Sequence, residues 1–136
     1  MRVFADTFYW IALLYRRDPW HLPVTAFSQT LVDTDRVVTT DAVLTEMLAA
    51  FSAAGARLRD EAVFLVDGLL HDPQVRVVES TRALFLAGLS LYRARPDKAY
   101  SLTDCMSMEV MRREGLTDVL TNDRHFTQEG FQILFP

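Results

Sequence analysis

The chain has 136 residues, 14 basic and 18 acidic, for a formal net charge of −4, with half its residues hydrophobic and a single cysteine. That length supports one well-buried core, so a single domain spanning 1–136 is expected. The acidic balance excludes a passive polybasic nucleic-acid binder, though not nucleic-acid chemistry at a site where cations supply local positive charge. The lone Cys105 excludes an internal disulfide. No apolar run reaches membrane-spanning length, and Asp6 interrupts the apolar start MRVFADTFYW early with no small-residue cleavage site after it. A cytoplasmic protein without a membrane segment is the expectation.

In chain order, Arg2–Ala5 reads as a short buried strand ended by Asp6. Thr7 through Arg17 is helical in pattern, with Phe8, Ile11, Ala12 and Tyr15 on one face, and Asp18-Pro19 breaks it. Trp20–Leu31 reads as a second helix and Val37–Thr39 as a brief strand. Thr40 is placed to cap a third helix over Asp41–Ala54, Gly55 to kink or end it, and Arg57–Leu70 to form a fourth. After a turn at His71-Asp72-Pro73 come a strand, Val75–Val78, and a helix, Ser80–Tyr92. Arg95-Pro96-Asp97 is a loop. Ser101, three residues before Asp104, opens a helix that Gly115 stops, with Arg112 and Arg113 in its last turn. Val119–Thr121 is a strand closed by Asn122-Asp123. A helical turn over Phe126–Glu129 and a last strand over Gln132–Phe135 follow. Short, nearly all-apolar strands alternating with helices predict an α/β sandwich around a mostly parallel sheet.

In such sheets, sites form outside the carboxyl ends of the strands. Asp6 and Asp123 each follow a strand, and Asp104 opens a helix. Each taken alone also reads as a turn or capping residue. Glu46 is flanked one turn away by Ala42, Val43, Ala49 and Ala50, so the pattern puts it on the buried stripe of its helix without a Lys or Arg one turn away. Either a bound cation or a distant arginine would satisfy it. Carboxylates about 4 Å apart repel by roughly 4 kcal/mol per pair at an effective dielectric near 20, which a divalent cation offsets. Oxygen donors without Cys or His suit Mg²⁺ or Mn²⁺ and not Zn²⁺. The histidines, His21, His71 and His125, lack metal-ligand spacing and read as surface groups. Trp10 and Trp20 read as core or interface, and Cys105 as a small buried residue beside the site.

The segments FADTFYWIALL, TTDAVLTEML, YSLTDCMSMEVMRREG and VLTNDRHF, with their acids Asp6, Glu46, Asp104 and Asp123, resemble the PIN domain, specifically its VapC-type toxin branch. The resemblance covers essentially the whole chain. It implies a PIN-like α/β/α sandwich and a metal-dependent endoribonuclease with those four acids as its catalytic and metal-holding site. It further implies an RNA substrate, a cognate antitoxin and a homodimer. Asp6 and Asp104 are the expected direct ligands of Mg²⁺ or Mn²⁺, with Glu46 and Asp123 completing the shell. A metal-activated water would then attack the phosphodiester in line. Thr7, Asp97, Ser101 and Asn122 lie where outer support would sit, and Lys98, Arg112, Arg113 and Arg124 are candidates for phosphate contact. A rival enzyme class, an aspartate phosphatase or phosphotransfer domain with Asp6 as nucleophile, wants a second acid close by or a late lysine. Thr-Phe-Tyr-Trp follows Asp6, and no lysine follows Lys98. A non-catalytic PIN-like module binding RNA or protein is the other rival, against which stand all four acids.

Overall fold

The structure is a computed structural model describing residues 1–136. Five strands, β1 (Arg2–Ala5), β2 (Arg36–Thr40), β3 (Val75–Val78), β4 (Asp118–Leu120) and β5 (Gln132–Ile133), form one sheet in the order β3-β2-β1-β4-β5. Every neighbouring pair is parallel. The helices are α1 (Thr7–Leu14), α2 (His21–Ser28), α3 (Asp41–Ala50), α4 (Ala56–His71), α5 (Arg82–Ala94), α6 (Leu102–Glu114) and α7 (His125–Gln128). Crossovers run one way across the sheet up to β3 and the other way after it. Because parallel crossovers are right-handed, α1–α4 and α5–α7 are directed to opposite faces. The expected α/β sandwich is the fold observed.

The core strands are buried on both faces: Val3, Phe4 and Ala5 in β1, Val37 and Val38 in β2, Val119 and Leu120 in β4. Trp10 is a core residue, its indole N–H donating to Thr39 Oγ1 at 3.1 Å, and that hydroxyl donating to the Ala5 carbonyl at 2.9 Å. Trp20 joins Phe8 and Phe135 in an edge-on aromatic cluster. No helix is long and apolar enough to cross a membrane.

Several helices are shorter than their sequence patterns. α1 ends at Leu14 because Tyr15 turns to extended dihedrals and Asp18 Oδ1 accepts the Trp20 N–H at 2.8 Å, building a turn that delays α2 to His21. α3 ends at Ala50, and Gly55, at φ 95°, redirects the chain into α4. At the other caps the local chemistry is as expected. The Thr40 hydroxyl accepts the Val43 N–H, and Ser101 and Asp104 form a reciprocal capping box with Gly115 left-handed at the far end.

The α5–α6 contact depends on Gly88. A Cβ there would lie 2.6 Å from Met106 Cγ and 3.2 Å from the Met106 backbone nitrogen. Gly88→Ala is therefore expected to destabilise the fold by about 1–3 kcal/mol, since backbone cannot yield as a side-chain tip does. A lowered urea midpoint checks it; an unchanged or raised midpoint would show that α6 shifts freely.

Candidate active site

The chain leaves β1 toward β2 and later returns to β1's other side with β4, so the topological switch point lies between β1 and β4. Asp6 and Asp123 follow those two strands. The Asp6 N–H reaches the Leu120 carbonyl at 3.4 Å. Thr121, fully buried, links the two acids: its hydroxyl donates to Asp6 Oδ2 at 3.0 Å and accepts the Asp123 N–H at 3.2 Å. Thr121 was not among the residues expected at the site. Its only signal was a hydroxyl inside an otherwise apolar strand end.

Asp6 is 6% exposed, and its Oδ1 is buried without a hydrogen-bond partner. Burial pushes its carboxyl up to about 7, the Asp104 and Glu46 charges add to the rise, and the Thr7 N–H and Thr121 hydroxyl hold it back. The Asp104 carboxyl is also raised, first by burial and then by Asp123 and Glu46, against the Ser101 hydrogen bonds that favour its charged form. Asp6 is thus within charge-coupling reach of Asp104 and Glu46, and Asp104 of Asp123 and Glu46.

Glu46 differs from the sequence expectation in one respect. It is exposed, not on the buried stripe, which runs instead through Val43, Leu44 and Met47. Ala42, Thr45, Glu46 and Ala49 form the wall of an open groove of about 860 Å³ completed by α5 and α6. Small alanines beside Glu46 mimicked a core face because a groove wall also excludes bulk.

The remaining candidates are distributed as follows. Ser101 fixes Asp104 through the capping box. Thr7 follows Asp6 directly, and its buried hydroxyl has no partner. Asn122 is exposed, and Asp97 is exposed beside Lys98 at 3.5 Å. Arg112 pairs with Glu109 at 2.9 Å and Glu129 at 2.8 Å. It and Arg113 lie at the opposite end of α6 from Asp104, eight or nine residues on, about 12 Å or more along the axis. Arg124 is exposed directly after Asp123. Cys105 is buried, and its thiol is pushed up to about 11, with burial the main cause, which leaves it inert.

His125 corrects the reading of a surface histidine. Its Nδ1 lies 3.2 Å from Asp123 Oδ1 and 4.0 Å from Asp104 Oδ2. The signal available in sequence was its position two residues after Asp123, on the turn that opens α7. The donor set fits a divalent cation: oxygens from several carboxylates, raised carboxyl groups, and an orphaned buried oxygen on Asp6 that no protein donor satisfies.

A family model described as the PIN domain matches residues 3–131. The structure superimposes on VapC20 of Mycobacterium tuberculosis, a Sarcin-Ricin loop cleaving toxin, with a TM-score of 0.83, 25% identity and 95% of each chain covered. FitAcB from Neisseria gonorrhoeae matches with a TM-score of 0.63 and 16% identity over 96% of this chain and 95% of that one. VapBC2 from Rickettsia felis, bound to a DNA fragment from their promoter, matches with 0.65 and 12% over 98% and 97%. At that identity the last two show the fold alone. A sequence comparison with curated proteins gives no match. With the family model spanning nearly the whole chain, laid over a five-stranded parallel sheet, the protein belongs to the PIN domain family.

Proposed function

We propose that this protein is a divalent-cation-dependent endoribonuclease acting as the toxin of a type II toxin–antitoxin pair. The observation that carries the reading is Asp6: a carboxylate with its Oδ1 buried and unpartnered, raised by burial and by two neighbouring acids. A fold does not retain such a group for stability, since a buried unpaired charge is costly. Asp6, Asp104, Asp123 and Glu46 would hold Mg²⁺ or Mn²⁺. A cation bound there supplies charge neutralisation at a phosphodiester and lowers the pKa of water.

The chain's own residues supply the rest. The Thr121 hydroxyl fixes Asp6 through Oδ2 and leaves Oδ1 without a protein donor, and the capping box orients Asp104. The groove beside Glu46 offers a path for a strand. Arg82 lines it, with its guanidinium 5.5 Å from the Phe85 ring centroid, and Arg124 is exposed directly after Asp123. In a protein of net charge −4 these cations set where a phosphate chain can approach. Exposed apolar residues on α4 (Val63, Phe64, Leu70) and α5 (Leu86, Tyr92) are surfaces for an antitoxin and a second copy of the chain to cover.

The test is cleavage of RNA by purified protein with EDTA and with Mg²⁺ or Mn²⁺ restored. Chelation is expected to lower the rate at least about a hundredfold, and either ion to return it. RNA bound but left intact would replace this reading with a binding module. Cleavage indifferent to EDTA would end it.

A further inference from the structure

We propose that His125 is a nitrogen ligand of the cation site, joining Asp104 and Asp123, and that it makes the site select a first-row transition ion such as Mn²⁺ over Mg²⁺. This rests on the metal-dependent reading above and goes beyond it, because the four-acid set alone does not discriminate between the two ions.

The geometry points to His125 in three ways. One potential donor atom from each of Asp104, Asp123 and His125 falls within 4.8 Å of the others. The Nδ1 separations of 3.2 Å and 4.0 Å lie in the range spanned by ligands of one octahedral ion. With bonds near 2.1 Å, such ligands sit about 3 Å apart when adjacent and about 4 Å when opposite. Second, Nδ1 is buried and makes no hydrogen bond. Its nearest oxygen, Asp123 Oδ1, already accepts the His125 backbone N–H at 2.9 Å. The His125 side chain is 31% exposed, but its Nδ1 faces inward beside two carboxylates without a hydrogen bond, and so lacks a partner that a cation would provide.

Third, the ring is held from behind. Tyr100, 5% exposed, meets the imidazole edge-on with centroids 5.3 Å apart. Its hydroxyl donates to Glu129 Oε1 at 3.2 Å. Glu129 is in turn clamped by Arg95 at 2.6 Å and Arg112 at 2.8 Å. Metal-binding imidazoles are characteristically braced by such outer contacts. Here the brace acts on the ring face, and it gives Arg112 a role at a distance from the centre.

The chemistry follows from donor type. Mg²⁺ prefers hard oxygen donors and keeps its waters, whereas first-row transition ions accept an imidazole nitrogen more readily, Mn²⁺ the least strongly among them. A single nitrogen at the site therefore favours Mn²⁺ without excluding Mg²⁺ from the carboxylates.

The experiment uses the full chain, stripped with EDTA and dialysed, with Mn²⁺ alone and Mg²⁺ alone as probes. Pulsed EPR of the wild type with bound Mn²⁺ is expected to show nitrogen-14 modulation that His125→Ala abolishes. By calorimetry, His125→Ala is expected to weaken Mn²⁺ about 10- to 100-fold, while Mg²⁺ changes less than about threefold. Mn²⁺ bound without nitrogen modulation in the wild type overturns the proposal and leaves the metal-dependent reading standing. Equal losses for both ions overturn it as well, since His125 would then act only by placing Asp123. Absence of binding by either ion overturns both. The wild-type spectrum decides the matter even where the variant fails to fold.

Discussion

Asp104→Asn is expected to leave the protein folded and to lower cation-dependent RNA cleavage by about a thousandfold or more, equivalent to about 4 kcal/mol of transition-state stabilisation. The structure separates the two roles of this side chain. As a cap, Asp104 Oδ2 accepts the Ser101 N–H at 3.0 Å, and the Asp104 N–H donates to Ser101 Oγ at 3.0 Å. Asparagine retains an acceptor oxygen and its own N–H, so the capping box survives. As a member of the acidic centre, Asp104 contributes a negative charge beside Asp6, Asp123 and Glu46 that asparagine cannot replace. Circular dichroism and a urea midpoint establish folding, and initial rates in Mg²⁺ or Mn²⁺ establish activity. A folded variant cutting RNA at the parental rate would return Asp104 to a capping role. Asp6→Asn should lose activity comparably, and the double variant little more than either, because the acids act as a unit.

The second large effect concerns stability and pH in the cation-free protein. The Asp6 carboxyl stands at about 7 in the folded state, chiefly through burial, against about 3.9 in an unfolded chain. Between those values the folded state binds more protons than the unfolded one. Stability from this group is therefore fully present below about pH 4 and is lost as pH rises toward 7. Asp104 shifts in the same direction and adds to the slope. Over some three pH units the loss attributable to Asp6 is on the order of 4 kcal/mol. Asp6→Asn, which carries no charge to bury and keeps an acceptor for the Thr121 hydroxyl, is expected to flatten the dependence and to be the more stable protein at pH 8. Saturating cation should restore the wild type there, since binding to the folded state alone adds about 2.7 kcal/mol at a hundredfold excess over Kd. Urea midpoints in EDTA from pH 5 to 8 measure both effects. A wild-type midpoint that climbs over that range, or an unchanged slope in the variant, would show that Asp6 is not held as a buried acid.

Both expectations concern residues legible in the sequence, and the reason is local. Asp6 follows an apolar strand, Asp123 follows another, and Ser101 with Asp104 spells a capping box; each is a short-range pattern with a short-range cause. The order of strands and helices was legible for the same reason, because buried parallel strands are short and uniformly apolar while helices carry caps and a longer period. Helix ends were less so. Tyr15 and Phe51 have helix-compatible neighbours, yet α1 stops where Tyr15 turns extended before the Asp18 turn, and α3 stops at Ala50 with Gly55 redirecting the chain into α4.

By itself, then, the sequence determined the α/β class and which acids stand at strand and helix ends, since these follow from patterns within about one turn or one strand. Only the tertiary structure decided what surrounds them. Glu46 looked buried because alanines flank it, and the open space that α3 shares with α5 and α6 makes that face a groove wall. Thr121 and His125 carried no pattern of their own. They became part of the centre because β4 lies beside β1 and α7 folds back against α6, bringing residues more than a hundred positions from Asp6 within hydrogen-bonding and charge-coupling reach of it or of its neighbours. Chain separation that large leaves no periodic trace, so such partnerships are set by topology alone.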